Sequence, residues 1–162
     1  GIDATQQAVL ADAVEGATIR EPALTIVQKR NPAIKLIAVG DELFPGQPGS
    51  VVAISGAFLA KNEDRVQGLV NGLVRAGALL TRDPDRAAPH VAANLAKGIV
   101  DLATIRTALK SPASKFTIDP RAIIQPTKAM QDYQVALGSL KEAVPLDPLF
   151  DSRFFEKAPA AS

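Results

Sequence analysis

Arg20-Glu21-Pro22 carries the strongest chemical signal in the sequence. Ala17-Thr18-Ile19 before it reads as a short strand, and Pro22 suits the first turn of a helix. A charged pair at the C-terminal end of a parallel strand lies where open α/β sheets take ligands. The helix start adds free amides and the positive end of a dipole, both suited to an anion. Arg20 can grip a carboxylate, sulfonate or nitrate through two parallel hydrogen bonds. Glu21 can accept from a ligand amine or hydroxyl. The competing account is that Glu21 caps its own helix and Arg20 is merely solvated. The residues alone leave both open.

Other reactive side chains reduce to ordinary roles. His90 falls on the stripe Arg86, His90, Asn94 and Lys97, opposite an apolar face, and reads as exposed. Asp83 and Asp85 form a carboxylate pair, but at a helix start, where capping and the dipole account for them. Asp147 and Asp151 receive the same account. Gly46, Gly49, Gly56, Gly68, Gly72 and Gly77 form no phosphate-binding fingerprint. Tyr133 and Met130 read as core or rim fillers. The chain has no Cys and one His. A Ser-His-Asp triad could be built only around His90, and a multi-His metal site is excluded. The expectation is a protein that is not an enzyme, with no metal and no cofactor.

Composition narrows the partners. Across 162 residues, 47% are hydrophobic and 22% charged, as in a soluble globular protein. A net charge of +1 gives no electrostatic case for nucleic acid or an anionic membrane surface. Aromatics at 4%, without Trp, weaken any base-stacking role. The absence of Cys removes disulfides and thiol chemistry, and fits a cytoplasm or a bacterial periplasm. Leu43 to Ala60 is uncharged, but its prolines and glycines argue against a membrane span. No basic segment followed by an apolar one opens the chain. An exported protein would have lost its signal or carry it upstream of residue 1.

These residues need elements to hold them. Asp3 reads as the N-cap of a helix to about Val14, ended by Glu15-Gly16. After the strand 17–19 and a helix from Pro22 to about Lys29, Asn31-Pro32 breaks the chain. Ile34 to Val39 is a second strand. Helix–strand–helix–strand order suggests a piece of a parallel α/β sheet, with too few strands to stand alone. Phe44 to Ser55 is a Pro/Gly-punctuated crossing into a buried strand at Val51 to Ile54. Gly56 to Lys61 is a turn of helix. Asn62 caps the next helix, whose one face carries Val66, Leu69, Val70, Leu73, Val74, Gly77 and Leu80. Asp83-Pro84 starts another, burying Ala88, Val91, Ala92 and Leu95 and closed by Gly98. Asp101 opens Leu102 to Leu109, and Asp119 caps a further start. A helix from about Pro126 to Leu137 is closed by Gly138, and Ser152 to Lys157 forms the last.

The order of these segments resembles a known family. Val14-Glu15-Gly16-Ala17-Thr18-Ile19-Arg20-Glu21-Pro22-Ala23 is similar to a segment of the substrate-binding proteins of ABC importers for nitrate, taurine, alkanesulfonates and thiamine precursors. Pro48 to Ser55, followed by Asn62-Glu63-Asp64-Arg65-Val66, resembles that family's return crossing and next helix. Thr81 to Ala88 is similar to its Asn-Pro helix start. Met130 to Gln134 with Leu137-Gly138, and Leu146 to Asp151, resemble its closing helices. Two positions depart from the pattern: Arg20 stands where an aromatic is common, and Glu63 where Pro is usual.

The resemblance implies an α/β, type II periplasmic-binding-protein-like fold, present in part. Residues 1–43 would be the end of lobe two, 44–55 a lobe-crossing hinge, and 56–162 the helical remainder of lobe one. It implies capture of a small anionic or zwitterionic solute, hinge closure, and delivery to an ABC permease in the membrane. Arg20 and Glu21 are the main ligand candidates, and Gln47 and Ser50 at the crossing are weaker ones. A periplasmic or other extracytoplasmic location follows, with a lipid anchor as an option. Family members are longer, so an N-terminal segment or a partner chain is expected to complete the lobes. Two alternatives stand beside this: a structural or interaction subunit keeping a fragment of the fold, and a relative of the pyrimidine-synthesis type.

Overall fold

A computed structural model describes residues 2–96 and 100–160. Helix accounts for 57% of the described residues, none of which lies in a β-strand. The expected α/β fold is therefore corrected: the described structure is helical, without the crossing strand or a sheet. The three stretches read as strands, 17–19, 34–39 and 51–54, are irregular. A strand exists only where a neighbour satisfies its N–H and C=O groups, and residues 17–19, 35–38 and 51–54 make no backbone hydrogen bond among the described residues. β-branched composition raises the propensity but supplies no partner.

The helices are α1 (Ile2–Leu10), α2 (Ala23–Arg30), α3 (Gly40–Leu43), α4 (Gly56–Leu59), α5 (Glu63–Arg82), α6 (Pro84–Val91), α7 (Leu102–Leu109), α8 (Ile124–Ala136) and α9 (Arg153–Glu156). A π-helical turn, Ala92–Ala96, follows α6, and 3-10 turns occupy Pro120–Ile123 and Asp147–Leu149. Gly98, the expected cap, and Lys97 lie outside the described residues. Asp3 falls inside α1 instead of capping it, and α1 stops at Leu10, short of Val14.

Local signals set most helix starts. Asp83 accepts from the Arg86 amide and Asp101 from the Thr104 amide, so both cap as their positions suggest. Asp119 accepts from the Arg121 amide, but the turn it starts is 3-10. Asn62 differs. Its carbonyl receives the first bond of α5, from Val66, while its side-chain amide donates back to the Phe58 carbonyl at 2.9 Å. At the end of α8, Gly138 takes φ +72°. Its amide donates to Val135 and the Ser139 amide to Gln134, the paired bonds of a Schellman motif.

The chain divides into two compact units, residues 1–39 with 79–115 and residues 40–78 with 116–162. Unit one packs α2 against α1 and α7, and α6 against α7. Its core is Ala23, Leu24, Val27, Ala87, Ala88, Ile105 and Ala108. Small residues on α6 and α7 let these helices approach closely. Polar contacts fix their register. Lys29 Nζ donates to Thr104 Oγ1 at 2.7 Å and pairs with Asp101, while Asp85 pairs with Lys110 at 2.7 Å and Arg106 at 3.9 Å.

Unit two holds α3, α4, residues 63–78 of α5, α8 and α9, with Val66, Val74, Ala78 and Phe154 buried. Gln67 on α5 donates to the Phe154 carbonyl at 2.8 Å. Gln131 on α8 is buried and bonds both the amide and the carbonyl of Val144, each at 3.0 Å. Ile118 lies so close over Gly77 that no side chain fits there. Leu69 and Leu73, on the expected apolar face of α5, remain exposed, so that face is wider than its cover.

Candidate functional site

The Glu21-Pro22 peptide is cis and leads directly into α2. Glu21 Oε2 accepts from the Thr25 amide at 3.1 Å and from its hydroxyl at 2.8 Å. The carboxylate thus reaches one turn forward and caps the helix from outside, with Pro22 itself, lacking an N–H, at the N-cap position. The amides of Leu24 and Ile26 are taken by the carbonyls of Arg20 and Pro22. Of the four leading amides, only that of Ala23 has no partner among the described residues. The helix end therefore offers an external anion far less than the sequence suggests, because Glu21 already acts as its anion.

Arg20 is exposed, and its guanidinium pairs with no described residue. Its sequence neighbour Glu21 carries the carboxylate held by Thr25. An anchored anion and an uncommitted guanidinium on consecutive residues are the two charges a zwitterion requires, and Arg20 alone suits a single anion.

The other two candidates lie in unit two, whereas Arg20 and Glu21 lie in unit one. Gln47 sits in a turn built on its own contacts. Its amide donates to the Phe44 carbonyl at 3.1 Å, and the Gly46 amide donates to Asp41 at 2.8 Å. Gly46 has φ +72°, and a β-carbon there would meet Pro126 Cγ at 2.9 Å, so glycine is required twice over. Phe44 stacks on Tyr133 of α8, with centroids 5.8 Å apart and planes tilted by 56°. In this fixed turn the Gln47 Oε1 is buried with no hydrogen-bond donor among the described residues. A buried acceptor without a donor costs about 1–3 kcal/mol, a cost that a bound donor would relieve. Ser50 is exposed and makes no hydrogen bond among the described residues.

Elsewhere the charged groups serve structure. His90 is exposed, as its stripe implies. The Thr104 hydroxyl and amide, then Lys29, hold the Asp101 carboxyl down at about 2. Lys110 and, less strongly, Arg106 lower Asp85. Asp119 and Asp151 each grip the guanidinium two residues on, Arg121 and Arg153, and both carboxyls are lowered by that bond first. The Lys29–Asp101–Thr104 cluster escapes sequence reading because Lys29 lies more than seventy residues from the other two, and only the packing of α2 on α7 joins them. A polar concavity of about 510 Å³ lies along Ala60–Arg65 and contains none of the four candidates. Among the described residues no group of three or more His, Asp or Glu side chains could hold a metal ion.

Comparison of the chain with models of known protein families finds no match, and comparisons with characterised proteins and with solved structures find none either.

Proposed function

We propose that the chain is a solute-binding component of an importer, taking a small anionic or zwitterionic solute such as nitrate, an alkanesulfonate or taurine and delivering it to a membrane permease. The observation that carries this is the exposed, uncommitted Arg20 preceding the Thr25-anchored carboxylate of Glu21 in the chain. Arg20 takes the oxyanion. The free oxygen of Glu21 accepts from an ammonium where the solute has one. The order of sequence segments shared with importer binding proteins points the same way. The chain acts by binding, without covalent chemistry, outside the cytoplasmic membrane. No helix among the described residues is long and apolar enough to cross a membrane.

Titration calorimetry with nitrate, taurine and an alkanesulfonate tests this directly. Arg20→Ala is expected to weaken the best ligand by at least about tenfold, the loss of one charge-assisted contact of roughly 1.5–3 kcal/mol. Unchanged affinity removes the clamp. Because Arg20 is exposed, the same variant should unfold at the wild-type denaturant concentration.

A second reading is an interaction subunit whose role is to join a partner chain. The unpaired apolar stretches of the chain favour it.

A further inference from the structure

Thr25 is 5% exposed and sits in the first turn of α2. Its hydroxyl and its amide both donate to the same oxygen of Glu21, Oε2, at 2.8 and 3.1 Å. Two donors on one oxygen set the tilt of the carboxylate and leave Oε1 accepting nothing among the described residues. A carboxylate so held stays on α2. Without that hold, its nearest charged partner along the chain is Arg20, with which it would pair and cancel. Arg20 in turn is kept at the start of α2 by its carbonyl, which accepts from the Leu24 amide at 3.1 Å. The two residues therefore enter the same helical turn, with Cα atoms about 3.8 Å apart.

We propose that the site selects a zwitterion with its ammonium and oxyanion a few bonds apart, and that Thr25 is the positioning residue behind that selectivity. The inference rests on the reading of the chain as a solute-binding component and names the class of solute. The charges decide it. A plain anion gains Arg20 but meets the fixed carboxylate of Glu21, and like charges repel. A plain cation gains Glu21 but meets Arg20. Only a solute carrying both signs gains from both residues, each bond being charge-assisted. The start of α2 adds little for a second anion, since Glu21 takes the Thr25 amide, and the carbonyls of Arg20 and Pro22 take those of Leu24 and Ile26. Thr25 matters because it is buried and β-branched. Its hydroxyl has few rotamers to move to, so the direction of Oε1 is fixed before a solute arrives, and binding has less left to order.

Titration calorimetry of the purified chain with taurine and with ethanesulfonate tests it, because the two share a sulfonate and differ in the ammonium. The wild-type chain should bind taurine at least about tenfold more tightly. Glu21→Gln keeps an acceptor for Thr25 and removes the charge. It should bring taurine down to the affinity of ethanesulfonate, whose own binding should hold or tighten; loss of a merely structural residue would weaken both. Thr25→Val should lower the taurine preference by at least about threefold, the loss of one hydrogen bond, and Thr25→Ser, which keeps the hydroxyl, should hold it. Ethanesulfonate bound as tightly as taurine overturns the zwitterion class and leaves the solute reading standing. Binding of neither overturns both. A full taurine preference in Glu21→Gln overturns the charge argument, and one in Thr25→Val takes the positioning role from Thr25.

Discussion

The packed helices of unit one and the bare stretches at 35–38 and 49–54 are built from similar side chains, yet one set is buried and the other is not. Val27 and Ile105 are fully enclosed, while Ile37 and Val51 stand in solvent. The difference lies in the backbone. A helix satisfies its own N–H and C=O groups within one turn, so α2, α6 and α7 need only side-chain cover from each other. A β-type stretch must borrow its partner from elsewhere in sequence. Apolar content alone therefore does not decide where the core forms.

Mutations can break this comparison. The largest contrast is between Ile105→Ala and Ile37→Ala. Ile105 is 1% exposed, so its truncation should cost about 2–5 kcal/mol in urea unfolding. Ile37→Ala should stay within about 0.5 kcal/mol. Equal costs would mean that the 35–38 stretch is packed in solution.

Gln131→Leu comes next. It strips the Val144 amide and carbonyl of their shared partner, and should cost about 2–3 kcal/mol by the same measurement. A neutral result would show that water already serves Val144.

Gly77→Ala should cost about 1–2 kcal/mol despite the better helix propensity of alanine, because Ile118 is β-branched and cannot swing aside. Adding Ile118→Ala should remove the clash term. If the double variant shows no such recovery, the close approach of Ile118 is not what excludes a side chain.

The smallest effect concerns acid. Asp101 titrates at about 2 in the fold, below the ordinary 3.8 of the unfolded chain. Its stabilising contribution is therefore complete above about pH 4 and is lost as pH falls toward 2. Thr104→Val removes the hydroxyl that contributes most to this depression. Carbon-detected NMR titration should show the Asp101 carboxyl rising toward its ordinary value. An unmoved value would transfer the cause to the Thr104 amide and, after it, Lys29.

Several features were legible in the sequence because they are local. Asp83, Asp101 and Gly138 act where their neighbours place them, since a cap or a left-handed glycine needs only the adjoining turn. The cap role of Glu21 was one of two readings, and the Thr25 contacts supply it. The sheet was misread from Ile34–Val39 and Val51–Ile54, whose composition signals a strand without naming a neighbour. Asn62 was at the right position, but its amide turned toward Phe58.

By itself, the sequence determined the helix caps at Asp83 and Asp101, the glycine closure at Gly138 and the adjacency of a cation and a carboxylate at Arg20-Glu21. Each depends on groups a few bonds apart. Only the tertiary structure decided that Glu21 spends one oxygen on Thr25, that Lys29 meets Thr104, that Gln47 buries an acceptor unmet among the described residues, and that residues 35–38 and 51–54 find no mate there. Those outcomes turn on which distant surfaces meet, a property of packing that no local pattern encodes.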